Sequence, residues 1–249
     1  MNHAYDLLAP VLSIGSAIAL AVAMVLLLLG PLRRKYWIIL AYAAWELFAT
    51  VVLTIADVLF HGSARMAGPA QTAANKLYAR LYWTNDVLVD LFRFVLVMVL
   101  IYKASGNARR VSGRLLSALV VAMIVLPFVL FHPTFTPFPR AAWFNSTSEL
   151  LNFGAAIMNL MLWATLIASR SRDPQLLMVS AGLGIVVTGT AISYGIHFLT
   201  GEGEFGAVGS LFMNLTQLGG WLVWCWAFRP APRRTAMPQA SLAAPDHRI

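Results

Sequence analysis

The stretch LYWTNDVLVDLFRFVLVMVLIY, residues 81–102, is an apolar segment long enough to cross a bilayer, yet it carries three charged residues. Asp86, Asp90 and Arg93 stand at positions i, i+4 and i+7, so in a helix they share one face and leave the other faces apolar. A charge at bilayer depth is costly unless it points into a protein interior or a wet cavity. The segment therefore predicts a membrane-spanning helix whose charged face is covered by other helices.

The composition of the whole chain indicates the same class of protein. Of its 249 residues, 59% are hydrophobic and 11% are charged, and the mean hydropathy is +0.73. A soluble domain carries a charged fraction of about a quarter. The apolar runs are continuous rather than alternating, which favours helices over the strands of a barrel. The single cysteine, Cys225, excludes an internal disulfide framework.

Other apolar runs of similar length precede and follow this segment, each near the roughly 20 residues that a bilayer requires. The predicted fold class is therefore all-α, a polytopic membrane protein with a seven-helix transmembrane domain over residues 1–228. The predicted helices are 10–29, 36–60, 81–102, 115–131, 143–167, 176–199 and 208–228. The remaining residues, 229–249, are rich in Pro and Ala and predict a disordered basic tail.

The Lys and Arg residues predict the orientation of this bundle. Thirteen of the 18 fall in connections on one side, within 30–35, 103–114, 168–175 and 229–249. Because basic connections stay in the cytoplasm, the N-terminus is predicted outside and the C-terminus inside, in a bacterial inner membrane. Basic connections that set the orientation of the bundle and attract anionic lipid account for the net charge of +8. The lipid bilayer is therefore a predicted partner, and nucleic acid is not.

Polar residues on the other predicted helices recur at helical spacing and lie mostly in the outer half of the bilayer. Interhelical hydrogen bonds explain many such stripes. Several carboxylates against one arginine are different, since the surplus must be protonated, hydrated or matched by something bound. We expect a net-negative cavity open to the outside. Its predicted lining is Asp86, Asp90, Arg93 and Glu149, and its predicted rim is Asp57, Tyr194 and Asn214.

Three histidines, His61, His132 and His197, stand at the outer ends of three predicted helices. With the nearby carboxylates they can in principle supply a zinc site, and His61 with His197 is the one candidate pair for a haem. Their spacing includes no His-x-x-x-His pair, and solvated helix ends explain them without a ligand. No metal or cofactor is predicted. The last predicted helix contains no lysine, which excludes a retinal Schiff base.

Three short motifs carry a resemblance from residue 81 onward: Tyr82-Trp83 with an acid shortly after, a basic turn from Arg109 to Arg114, and the aromatic end at Trp224. On these motifs the chain resembles a group of bacterial seven-helix membrane proteins with no assigned activity. The resemblance implies a fold and no activity.

The leading hypothesis is a sensor or receptor-like module that binds a small cationic or polar molecule. Since no soluble output domain is expected, it would signal through a cytoplasmic or membrane partner at the turns 103–114 and 169–173. The alternative is a transporter or proton-coupled carrier that exchanges protons at Asp86, Asp90 and Glu149. An intramembrane metal-dependent hydrolase that uses the outer histidines is a third hypothesis, and no enzyme activity is the preferred expectation.

Overall fold

The structure is a computed structural model that describes residues 2–61, 69–104, 140–168, 173–200 and 204–230, with residues 117, 118, 121 and 125. Within these ranges it is helical and contains no strand, so the all-helical class is confirmed for the described part of the chain. A 3₁₀ turn at Pro31–Arg34 follows the first helix. The α-helices are α1 (Asn2–Leu29), α2 (Trp37–His61), α3 (Pro69–Ala104), α4 (Arg140–Ala168), α5 (Pro174–Thr200) and α6 (Glu204–Phe228).

Two of the sequence predictions fall largely outside these residues. Of the predicted helix at 115–131, the structure describes 117, 118, 121 and 125, all of them helical. His132 and the predicted tail beyond residue 230 lie outside the described residues.

The six helices form a closed ring in which each packs against its neighbours in chain order and α6 returns to α1. Helix α3 also contacts α5 across the ring, so it lies closer to the centre than the others. The buried apolar core follows from this arrangement, with Phe94, Val97 and Leu100 of α3 fully enclosed. The helix that carries the charged segment thus contacts three other helices, α2, α4 and α5.

Helix α3 is 36 residues long and begins well before the apolar segment at Leu81. Pro69 suits a first helical position, and the polar residues that follow include several good helix formers. At 1.5 Å per residue the helix spans about 54 Å, against about 30 Å for the hydrocarbon core of a bilayer. The apolar segment therefore marks where this helix can cross a membrane, and the helix itself continues beyond it.

The polarity of the bundle is inverted relative to a soluble domain. Large apolar side chains are exposed along whole helix faces, including Ile14 and Ile18 of α1, Val58 of α2 and Leu160 of α4. Polar side chains are buried instead: Asp90, Arg93, Thr147, Ser148, Asn152, Asn159, Ser180, Thr190 and Ser193. Water does not favour an apolar surface of this extent, whereas the hydrocarbon core of a bilayer does.

Three of the described helices contain segments long and apolar enough to span a membrane: Leu8–Leu29, Trp37–Leu59 and Pro174–Ile196. They lie in α1, α2 and α5. These segments suggest association with a membrane and agree with the apolar outer surface.

An ion pair joins two connections at one end of the bundle. Lys35 Nζ lies 2.5 Å from Asp173 Oδ2, while Asp173 Oδ1 accepts hydrogen bonds from the backbone amides of Gln175 and Leu176. Asp173 thus caps the N-terminus of α5 and fixes the connection between α1 and α2 to it. Burial acts to raise the pKa of Asp173, but the hydrogen bond from Lys35 and the two amides outweigh it, so its pKa lies below the usual range.

The lowered pKa of Asp173 gives a stability contribution that depends on pH. It is fully present above the unfolded value of about 3.9 and is lost as pH falls through the lower folded value. Because the two side chains are 43% and 33% exposed, we expect the pair to contribute less than about 1 kcal/mol. Asparagine caps helices as well as aspartate does, so Asp173→Asn removes the ion pair and keeps the cap.

Thermal unfolding of the detergent-solubilised protein tests this ion pair. At pH 6 we expect the wild type to melt slightly above Asp173→Asn, and at pH 3 we expect this difference to be smaller. A difference that is the same at both pH values would show that the charge of Asp173 does not stabilise the bundle.

Candidate functional site

Arg93 is the centre of a buried ion network between α2 and α3. Its Nη1 donates to Asp90 Oδ1 at 3.0 Å, its Nη2 to Glu46 Oε1 at 3.4 Å, and its Nε to the Tyr42 hydroxyl at 3.0 Å. The side chains of Arg93 and Asp90 are 3% and 1% exposed. Each of the three guanidinium nitrogens therefore donates a hydrogen bond, and two of these bonds go to carboxylates.

One turn earlier on α3, Asp86 forms a second hydrogen-bonded group. Its Oδ2 accepts from the Tyr194 hydroxyl of α5 at 2.6 Å and from Ser148 Oγ of α4 at 3.0 Å. Asp86 and Asp90 are four residues apart and lie on the same face, which brings α2, α4 and α5 together around one stripe of α3. We call Glu46, Asp86, Asp90 and Arg93 the acid–arginine cluster.

The cluster contains three carboxyl groups and one guanidinium. Two of the carboxyl oxygens, Glu46 Oε2 and Asp90 Oδ2, are buried without a hydrogen-bond partner among the described residues. Asn85 Oδ1 and Asn152 Oδ1, from α3 and α4, are buried and unpaired in the same way. A buried polar oxygen without a donor is unfavourable by about 1–3 kcal/mol, and more when it is charged. The cluster thus has fewer positive charges than carboxyl groups, and two of its carboxyl oxygens have no donor among the described residues.

A small cavity of about 50 Å³ adjoins Glu46 between α1, α2 and α6. It has room for a water molecule or a small inorganic cation, whereas pockets for organic ligands are usually 300 Å³ or more. Its lining is rich in hydroxyl and carbonyl oxygens, which are the donors that hard cations prefer. The polar residues that line it are Ser13, Ser16, Glu46, Thr50 and Gln217.

Aromatic side chains close the bundle on the side of the cluster that leads to Lys35. Tyr42 packs against Trp221 and Trp224 at ring-centroid distances of 5.9 and 6.2 Å, and these two indoles lie 4.9 Å apart. Phe228 continues the contact from Trp224 at 6.3 Å. These four rings, which we call the aromatic plug, are almost fully buried.

Three other residues expected at the site stay predictions, because none of the hydrogen bonds described above involves them. Glu149 follows Ser148 by one residue, which is 100° around the helix, and it shares its face with the exposed Phe153 and Leu160. Asp57 is exposed on α2, three turns beyond Glu46, and Asn214 is half-buried on α6.

The three histidines stay predictions, because the side chains of His61 and His197 and the whole of His132 lie outside the residues that the structure describes. Within the described residues, no group of three or more His, Cys, Asp or Glu side chains is arranged to hold a metal ion.

The sequence prediction missed three residues of the site. Tyr42, Glu46 and Ser148 are absent from the predicted lining and rim. Tyr42, Glu46 and Thr50 stand at i, i+4 and i+8, so the spacing of α2 carried a signal. On α4 the signal was a run of small and amide residues at 148, 152, 155 and 159, all of which are buried.

Comparisons with known proteins found no matching family model, no matching curated protein and no matching solved structure.

Proposed function

We propose that the chain is a seven-helix inner-membrane protein with its N-terminus outside. The segment lengths of α1, α2 and α5 support this, as does the apolar outer surface of α4 and α6. Helices α3, α4 and α6 carry charged residues, amides and tryptophans on their buried faces: Asp90, Arg93, Asn152, Asn159, Trp221 and Trp224. Such residues are compatible with a span when they face the bundle interior.

The direction of α3 and α4 supports a seventh crossing. Lys103, near the end of α3, and Asp173, which follows the end of α4, both contact Lys35. The two helices therefore run towards the same end of the bundle. This common direction is the one that a further crossing between them requires, and the predicted helix at 115–131 has the length for it.

Within this bundle we propose that the acid–arginine cluster binds a small cation, either a proton on one of its carboxyl groups or a monovalent metal ion in the cavity beside Glu46, where Glu46 is the one carboxylate among hydroxyl and amide groups. We propose that the protein acts as a membrane sensor. The observation that carries the proposal is the excess of carboxyl groups over positive charges in the cluster, together with the two buried carboxyl oxygens that have no donor among the described residues. The size of the cavity beside Glu46 supports an inorganic cation rather than the organic molecule that the sequence alone allowed. The signal would pass to a partner at the basic turns 103–114 and 169–173.

A proton-coupled carrier is the second candidate, because ionisable groups follow one another from Glu46 through Arg93 and Asp90 to Asp86. Asp86 and Arg93 are about 10 Å apart along the axis of α3. The aromatic plug favours the sensor, since a carrier must open this closed side in each cycle. Reconstituted liposomes separate the two: a pH-dependent flux of cations or protons supports the carrier, and binding without flux supports the sensor.

Cation binding is tested by thermal unfolding in detergent at constant ionic strength, with sodium, potassium or choline as the cation. We expect one small cation, or a lower pH, to raise the melting temperature of the wild type relative to choline. At one hundred times its Kd, a bound cation adds about 2.7 kcal/mol to the free energy of unfolding. Glu46→Gln should lose most of this response, because it keeps the shape of the side chain and removes its charge.

Asp173→Asn is the matched control, since it removes a carboxylate at the end of the bundle, away from the cluster. It should retain the cation response of the wild type. An equal response in wild type and Glu46→Gln would count against cation binding at the cluster.

A further inference from the structure

A groove of about 450 Å³ lies at the end of the bundle where α2 and α5 begin and α3 ends. Three basic side chains line it against a single carboxylate, so its charge is positive. Aromatic and apolar side chains complete its wall. The lining residues are Arg34, Lys35, Lys103, Asp173, Trp37, Tyr102 and Leu176.

The basic side chains of this groove are held close together. Lys103 Nζ donates a hydrogen bond to the backbone carbonyl of Lys35, and the ammonium groups of both lysines lie 5.2 Å from the centroid of the Tyr36 ring. Burial and the neighbouring charge of Lys35 lower the pKa of Lys103. Asp173 is already bonded to Lys35 and to the start of α5, and no other carboxylate pairs with Arg34 or Lys103 within the described residues. The groove therefore carries more positive than negative charge, which favours the binding of an anion by Arg34 and Lys103.

The position of the aromatic residues indicates where this anion comes from. Trp37 is 62% exposed and Tyr102 is 43% exposed, and both lie level with the lysines. Aromatic rings of this kind are typical of the headgroup level of a bilayer. Leu29, at the end of α1, is 84% exposed, so the apolar outer surface reaches this level. A phosphate attached to acyl chains fits both parts of the surface, whereas a free phosphate uses only the basic part.

We propose that this groove binds one anionic phospholipid, with Arg34 and Lys103 contacting its phosphate and Trp37 and Tyr102 beside the glycerol and upper acyl chains. Basic pockets between helices are suited to such headgroups. The inference rests on the membrane placement proposed above and is independent of cation binding at the acid–arginine cluster.

Native mass spectrometry of the full chain, released from nanodiscs of phosphatidylglycerol and phosphatidylcholine, tests the proposal. We expect one tightly retained phosphatidylglycerol on the wild type. Arg34→Gln with Lys103→Gln should reduce its retention about thirtyfold, because each of the two lost cations is worth about 1 kcal/mol near the membrane surface. The matched control is Arg33→Gln with Arg229→Gln, which removes two basic residues that do not line the groove and should therefore reduce retention much less.

A second variant protects the test against misfolding. Arg34→Lys with Lys103→Arg keeps both charges and should retain the lipid. The proposal is overturned by equal loss in the groove and control variants, by equal retention of phosphatidylcholine, or by displacement of the lipid by millimolar inorganic phosphate, which would identify a free-phosphate site. Because the readout is lipid retention, a negative result leaves the cation response of Glu46 untouched.

Discussion

Replacement of Arg93 by leucine is expected to lower the free energy of unfolding by about 3–5 kcal/mol, the range for removing one partner from a buried ion pair. The guanidinium donates to three groups, and its loss leaves the carboxyl groups of Glu46 and Asp90 buried without a counter-charge. Equilibrium unfolding in mixed micelles measures the effect. Arg93→Lys should fall between leucine and wild type, since an ammonium keeps the charge but cannot reach all three acceptors at once.

Arg80→Leu is the matched control for this substitution. Arg80 lies on the same helix and is exposed, so the same chemical change there should alter stability by less than about 1 kcal/mol. Adding Glu46→Gln to Arg93→Leu should restore part of the lost free energy of unfolding, because Glu46→Gln removes a buried negative charge that Arg93 no longer balances. If Arg93→Leu were no more harmful than Arg80→Leu, the network would contribute little to the stability of the bundle.

The charged face of α3 was predictable from sequence, but the partners of that face were not. Asp86, Asp90 and Arg93 share a face by helical spacing alone. The residues that meet this face come from elsewhere in the chain: Tyr42 is 51 positions from Arg93, and Tyr194 is 108 positions from Asp86. Such contacts depend on which helices are neighbours in the ring, and the hydropathy of a segment carries no information about its neighbours.

Helix α4 shows why the expected lining differed from the residues that contact Asp86. Asn152 and Asn159 lie on one face of α4. Both Ser148, four residues before Asn152, and Glu149, three residues before it, could continue this face, although their side chains are 100° apart around the helix axis. The carboxylate at 149 was the more prominent choice for a functional site. The small hydroxyl at 148 is the one that fits against α3, and Ser148 is fully buried there.

Replacement of Gly220 by alanine is expected to lower the free energy of unfolding by about 1–3 kcal/mol, the usual range for overpacking a well-packed contact. A Cβ at this position would lie 2.7 Å from the carbonyl oxygen of Gly182 and would collide with a methyl group of Val186. The obstacle includes the backbone of α5, which cannot rotate away as a side chain can. The helices α5 and α6 would have to separate, and tight van der Waals packing is a main source of helix association in membranes.

Gly219→Ala is the control for this prediction, because it adds the same methyl group to the same helix one residue earlier. Its nearest neighbour would be a methyl group of Ile185 at 3.8 Å, an ordinary contact, so stability should be unchanged or slightly higher. Helix propensity rises equally in both variants, and the difference between them isolates the close approach of α5 and α6. Equal stability of the two variants would mean that the helices do not meet at Gly182 and Gly220. The register that places Trp224 against Val179, and with it the aromatic plug beneath Arg93, would then have to be different.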